Sequence, residues 1–127
     1  MKATTYHQLG RVAQEQRQWQ QAEQYYQQAL QIFIEYHDPY AQATIYGQLG
    51  MLAEEQQQWM QARDCYLLAI KIFASYKDNY SITKALKLLA RLWQSSGDAN
   101  LPSAVATILS YSVEETEKLL REMLGKE

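Results

Sequence analysis

The chain contains the stretch YHQLGRVAQEQRQWQQAEQYYQQALQIFIEYHDPY at residues 6–40, and the stretch YGQLGMLAEEQQQWMQARDCYLLAIKIFASYKDNY at residues 46–80 repeats its pattern without a gap. Aromatic, glycine and alanine residues recur in register, forty residues apart. A unit of this length that recurs in register is typical of stacked-repeat proteins, in which each unit buries its apolar face against its neighbours. The repeat therefore favours a function in holding partners over a function in catalysis.

Each unit is predicted to form two antiparallel helices joined by a tight turn. In the first unit, apolar residues follow helical spacing over residues 6–13 and again over residues 19–33, with an interruption at Arg17 and Gln18. Gly10 is expected where the paired helices come closest, with the ring of Tyr26 filling the adjoining space. The same arrangement is expected in the second unit.

The order of residues in each unit resembles the tetratricopeptide repeat, which runs aromatic, Leu-Gly, then Ala, aromatic and Ala across a helix-turn-helix. The matching residues are Tyr6, Leu9, Gly10, Ala22, Tyr26 and Ala29 in the first unit and Tyr46, Leu49, Gly50, Ala62, Tyr66 and Ala69 in the second. The units are longer than the commonest form, as in kinesin light chains and many bacterial signalling proteins. The second helices are therefore expected to run on to about Tyr36 and Tyr76. The resemblance implies an all-α solenoid of antiparallel helix pairs.

One domain is expected over residues 1–127. Its predicted parts are a first repeat at about residues 3–40, a second at about 41–80, a degenerate third at about 81–110 and a C-terminal capping helix at about 112–125. The capping helix would cover the apolar face of the last repeat. The alternative is that it docks onto another domain.

Polar residues predict where three of the helices begin. Asp38 and Asp78 precede the first helices of the second and third units, where an aspartate is a favourable N-cap. Ser112 followed by Glu115 has the spacing of a capping box. The helix that follows is expected to bury a stripe formed by Val113, Thr116, Leu119, Leu120 and Met123.

Composition argues against several classes of protein. An apolar content of 47% with 20% charged residues describes a globular chain. No apolar run approaches the roughly 18 residues that a membrane-spanning helix needs, and a net charge of −2 argues against sequence-independent nucleic-acid binding. The single Cys65 cannot form an internal disulfide, which favours a cytoplasmic location.

No catalytic, metal or cofactor site is predicted. His7 and His37 lie thirty residues apart, and no Asp, Glu or Cys completes a metal-ligand spacing around either. The chain also lacks a glycine-rich phosphate loop. It is therefore expected not to be an enzyme.

The resemblance implies a peptide-binding groove lined by the first helix of each unit. The implied contact residues are His7, Arg11, Gln14 and Glu15 in the first unit, Met51, Glu54 and Glu55 in the second, and Lys84, Lys87 and Arg91 in the third. The family's chaperone-tail clamp uses Asn directly after the Leu-Gly pair, where this chain has Arg11 and Met51. That specificity is therefore not expected here.

The three basic residues of the third unit share one side of their helix, because they are spaced three and four residues apart. Together with Arg11 they predict a basic patch beside a middle band that contains Met51, Glu54 and Glu55. A protein segment with acidic residues next to an apolar anchor would suit such a surface. The alternative is that these charges are only the solvated side of a helix.

The predicted function is that of a non-catalytic protein-interaction module. One alternative is a C-terminal sensory or regulatory segment of a larger signalling NTPase or protease. Another is self-association into a homo-oligomer through the N-terminal face around Tyr6 and Leu9, which a preceding unit would normally cover.

Overall fold

Seven α-helices and no strand make up the secondary structure of residues 2–125, the part of the chain that the computed structural model describes. They are α1 (Ala3–Glu15), α2 (Trp19–Glu35), α3 (Pro39–Glu55), α4 (Trp59–Ser75), α5 (Asn79–Ser96), α6 (Leu101–Leu109) and α7 (Val113–Met123). Consecutive helices from α1 to α5 pack against one another. The predicted all-α solenoid of helix pairs is confirmed, as is the extension of the second helices to Tyr36 and Tyr76, which are their C-caps.

The four turns between α1 and α5 share one geometry. In each turn a single residue other than glycine adopts the left-handed conformation, with φ between 53° and 61°; these residues are Arg17, His37, Gln57 and Lys77. In the first turn the N–H of Gln18 donates to the carbonyl of Ala13 at 2.9 Å, and the N–H of Arg17 donates to Gln14 at 2.9 Å. The same pair of bonds recurs in the other three turns. Each turn is therefore a Schellman motif, which satisfies the last carbonyls of one helix and reverses the chain.

Side-chain caps start α3, α5 and α7 as predicted. Asp38 and Asp78 accept hydrogen bonds from the N–H groups of residues 41 and 81, both at 3.1 Å. Ser112 and Glu115 form the expected reciprocal capping box, with both bonds at 3.1 Å. The backbone bond from Ser112 also lowers the pKa of the Glu115 carboxyl, because it stabilises the charged form.

Gly10 and Gly50 mark the closest approach of the paired helices, as predicted. A Cβ atom on Gly10 would lie 2.6 Å from Cδ1 of Tyr26, and one on Gly50 would lie 2.5 Å from Cε1 of Tyr66. Both tyrosine side chains are fully buried. The first two helix pairs, α1 with α2 and α3 with α4, are thus built around an aromatic ring that lies directly against a glycine backbone.

Two apolar clusters fill the interior. The first joins α1, α2 and α3 and contains Tyr26 and Leu49, whereas the second joins α3 to α7 and contains Tyr66 and Leu89. Leu120 of α7 belongs to the second cluster and is completely buried. Helix α7 therefore caps the C-terminal end of the solenoid.

The predicted buried stripe of α7 is only partly correct. Thr116 and Leu120 are completely buried, and Leu119 and Met123 are half-buried. The prediction for Val113 is wrong, because this side chain is 44% exposed. Helical spacing sets the direction of a side chain around the axis, but it does not say whether a neighbouring helix extends far enough to cover it.

Candidate functional site

The predicted contact residues lie on α1, α3 and α5, and two side-chain contacts join these helices across their exposed side. Gln14 of α1 donates to the Glu55 carboxylate of α3. Arg91 of α5 donates to the Glu54 carboxylate of α3, with Nε 3.1 Å from Oε2. We call this surface, which also carries His7, Arg11, Met51, Lys84 and Lys87, the three-helix face.

In the first unit, a buried tyrosine hydroxyl reaches through to this face. The hydroxyl of Tyr26 donates to Oε1 of Gln14 at 2.5 Å, and the amide of Gln14 in turn donates to Glu55. Burial raises the pKa of Tyr26 to about 12, so the hydroxyl keeps its proton and remains a donor at neutral pH. The chain of bonds fixes Gln14 and Glu55 in place.

The second unit repeats this arrangement with charged partners. Tyr66 donates to Oε1 of Glu54 at 2.7 Å, and the same carboxylate accepts two bonds from the Arg91 guanidinium, at 3.1 and 3.3 Å. The bond to Glu54 raises the pKa of Arg91 further, and burial raises the pKa of Tyr66. Arg91 is therefore engaged within the molecule. It is not a free cation for a partner, although its sequence position predicted one.

Lys84 and Lys87 form the accessible basic part of the three-helix face. Both lysines are exposed, and neither takes part in an ion pair within residues 2–125. Arg11 is also exposed and has no ion-pair partner within the same range. Glu15 is exposed at the end of α1.

Tyr80 also belongs to this surface, although it was not among the predicted contact residues. Its ring is 74% exposed, and the Lys84 ammonium lies 5.4 Å from the ring centroid. The equivalent Tyr40 packs against Phe73 and Tyr76 near the end of α4. Helix α6 has nine residues where α4 has seventeen, so Tyr80 lacks such neighbours. The spacing of Tyr80, Lys84 and Lys87 at i, i+4 and i+7 was the signal that could have revealed it.

The middle of the three-helix face contains a shallow depression. A depression of about 300 Å³ is lined by Met51, Glu54, Glu55 and Arg91. One turn before Met51, Gly47 has open space where a side chain would lie, since a Cβ placed there would have no heavy atom within 4 Å apart from its chain neighbours and the adjacent backbone of α3. A partner backbone can therefore approach α3 closely at this point, next to the half-buried thioether of Met51.

His7 is turned partly into the protein. Its ring contacts Tyr26 edge-on with centroids 6.1 Å apart, and its buried Nε2 atom has no hydrogen-bond partner among residues 2–125. Burial, and secondarily the charge of Arg11, lower the pKa of His7 below its usual 6.5. The imidazole is therefore mainly neutral at pH 7 and adds little to the basic patch.

Residues 2–125 were compared with the requirements of a metal site and of a membrane-spanning helix, and they meet neither. Residues 2–125 contain no group of three or more His, Cys, Asp or Glu side chains that could hold a metal ion. No helix in this range is both long enough and apolar enough to cross a bilayer. Cys65 lies half-buried on α4, and burial raises the pKa of its thiol to about 11, which makes it a weak nucleophile.

Comparison with known proteins identifies one family. A family model described as tetratricopeptide repeat matches residues 1–75, more than half of the chain. Searches among curated proteins and among solved structures found no match. The matched range ends with α4 and so covers the two units in which the glycine and tyrosine pattern repeats.

Proposed function

This chain belongs to the tetratricopeptide repeat family, whose members generally mediate protein–protein interaction, and we propose that it binds a partner peptide or helix on the three-helix face. The observation that carries the proposal is the open space over Gly47 next to the half-buried Met51, which we call the floor of the three-helix face. The exposed Lys84 and Lys87 flank this floor. A partner segment placed there would reach both the floor and the cations.

The chemistry of the surface favours a partner with acidic residues beside an apolar anchor. Met51 offers a flexible apolar contact that adapts to different side chains. Lys87 and Lys84 are available for acidic groups, and Tyr80 adds an exposed ring at the same end. Exposed ion pairs contribute only about 0–1 kcal/mol each. Affinity would therefore depend on the apolar anchor, and the lysines would set its orientation and sequence preference.

A selection from random peptides displayed on phage tests this proposal. The wild-type protein is expected to enrich peptides that combine Asp or Glu with one large apolar residue. The double variant Lys84→Glu, Lys87→Glu is expected to lose them. The control Lys71→Glu, Lys118→Glu makes the same charge change at exposed positions on α4 and α7 and should keep them. Enrichment of basic peptides, or recovery of the same peptides by the first double variant, would contradict the proposal.

Filling the floor provides a second, independent test. Gly47→Gln should leave the fold intact, because the added side chain meets open space. It should nevertheless block the selected peptides, because the new side chain occupies their path over α3. Isothermal titration with one selected peptide measures this loss. Unchanged affinity in a folded Gly47→Gln protein would place the binding site elsewhere.

Two further points stay predictions. One is the alternative role as a regulatory segment of a larger signalling NTPase or protease, and the other is the cytoplasmic location. In the regulatory case the same surface would hold a segment of its own polypeptide. Translating the reading frame upstream and downstream of the coding sequence tests this directly, since an NTPase or protease domain in the same frame is expected.

A further inference from the structure

Equivalent positions in the three units are buried to very different extents. Leu52 and Leu92 are 2% and 0% exposed, but the equivalent Val12 of α1 is 50% exposed. Ile45 is completely buried, whereas the equivalent Thr5 is exposed. Because the helical positions are the same, the difference comes from the neighbour: α3 packs on α2, and α5 packs on α4. No element within residues 2–125 covers the corresponding side of α1.

The uncovered surface extends onto α2. Cys65 of α4 packs against the first apolar cluster, and its equivalent on α2 is Tyr25. Tyr25 is half-buried, and its ring centroid lies 6.4 Å from that of Tyr6. We define the N-terminal face as the surface formed by Thr5, Tyr6, Leu9, Val12 and Tyr25.

The border of this face consists mainly of uncharged polar residues and can pair with itself. The exposed uncharged polar residues on the side of Val12 are Thr5 and Gln8 of α1 and Gln16, which is the C-cap of α1. A glutamine amide carries both donors and an acceptor, so it can bond to its own copy across a two-fold axis, which two carboxylates or two ammonium groups cannot do. Glu15, three residues after Val12, is an exposed charged residue at the edge of this border, whereas Arg11 belongs to the three-helix face.

The other end of the solenoid is closed. Leu120 of α7 is completely buried against the last helices, so the C-terminal apolar surface is already covered. Head-to-tail stacking of two copies would need that surface to be open. A symmetric contact needs only the N-terminal face, since both copies present the same patch.

We infer that a second copy of this chain docks on the N-terminal face, in a two-fold dimer in which α1 of one copy packs against α1 of the other. Leu9 and Val12 would form the centre of the contact, with the two tyrosines beside them. The partner is thus identified by its chemistry as an identical neutral, aliphatic and aromatic surface. This contact uses a different side of α1 from the three-helix face, so the inference is independent of the proposed function.

Sedimentation equilibrium over a range of concentrations tests the dimer. The wild-type protein is expected to reach twice the monomer mass. Val12→Glu is expected to reduce the association constant at least about a hundredfold, because like charges would meet at the two-fold axis. The matched control is Val113→Glu, a valine of similar exposure at the start of α7, 44% against 50%. This control should dimerise as the wild type does.

Disulfide cross-linking tests the symmetry of the contact. In a Cys65→Ser background, Val12→Cys should form a covalent dimer on mild oxidation, and Val113→Cys should not. A wild-type protein that remains monomeric at all concentrations would overturn the inference. Dimerisation that survives Val12→Glu, or a dimer that Val12→Cys does not cross-link, would equally contradict it. Circular dichroism of each variant checks that it has folded.

Discussion

Glycine and tyrosine form a matched pair at the centre of each complete repeat. The ring of Tyr66 lies so close to the backbone of Gly50 that even one added carbon atom would clash with it. The hydroxyl of the same ring reaches Glu54 at the three-helix face. One residue therefore sets the helix spacing and also holds a polar residue of the candidate site.

Two glycines on α3 allow this packing to be measured. Gly50→Ala and Gly47→Ala gain the same helix propensity, about 1 kcal/mol each, but only the first places a carbon against a buried ring. We expect Gly50→Ala to be less stable than Gly47→Ala by about 1–3 kcal/mol, as is usual for overpacking. Urea unfolding of both variants provides the comparison. Equal stability would mean that Tyr66 can move aside.

His7 should make stability depend on pH. Because burial lowers its pKa in the folded state below 6.5, the unfolded chain binds more protons when the pH falls through this value. Its contribution to the free energy of unfolding is therefore present above about pH 6.5 and is lost as the pH falls. When the pH is lowered from about 7.5 to about 5, we expect the free energy of unfolding to fall less for His7→Gln than for the wild type. His37→Gln is the control, and an identical response of both variants would contradict the assignment.

At the scale of elements, the four Schellman turns explain why the helix pairs repeat so regularly. Each turn uses a residue other than glycine at positive φ, such as Gln57 at 60°. Left-handed backbone is unfavourable for a residue that carries a Cβ atom. These turns are therefore held by the packing of the helices on both sides.

Glycine in such a turn should stabilise the protein. We expect Gln57→Gly to raise the free energy of unfolding by about 0.5–1 kcal/mol, because glycine adopts this conformation without steric cost. The control Gln28→Gly, in the exposed middle of α2, should instead lower it by about 1 kcal/mol. Thermal unfolding monitored by circular dichroism measures both. Destabilisation by Gln57→Gly would show that the glutamine side chain itself supports the turn.

At the scale of the whole molecule, α7 completes the second apolar cluster. Leu120→Ala should cost about 2–5 kcal/mol, because it leaves a cavity among the helices that it touches. Val113→Ala, at a half-exposed site on the same helix, should cost far less. Calorimetry of both variants tests this. If Leu120→Ala had no effect, α7 would not be an integral part of the fold.

The features that could be predicted from the sequence are those that depend on residues close together in the chain. Helical spacing, the caps at Asp38, Asp78 and Ser112, and the contact of Gly50 with Tyr66 all lie within one helix pair or one turn. These interactions are formed by residues close together in the sequence, so the forty-residue repeat makes the pattern behind them visible twice. The residues of the three-helix face were predicted differently, because the resemblance to the tetratricopeptide repeat implied which positions of the first helices face a partner.

Whether those residues are exposed or paired depends on contacts between units, which the sequence pattern did not reveal. The pairing of Arg91 with Glu54 joins residues 37 positions apart. The short α6 exposes Tyr80. The same position in the repeat is buried at Leu52 and half-exposed at Val12, because only one of them has a helix beside it. Periodicity specifies the direction in which a side chain points, and only the assembled helices determine what lies there.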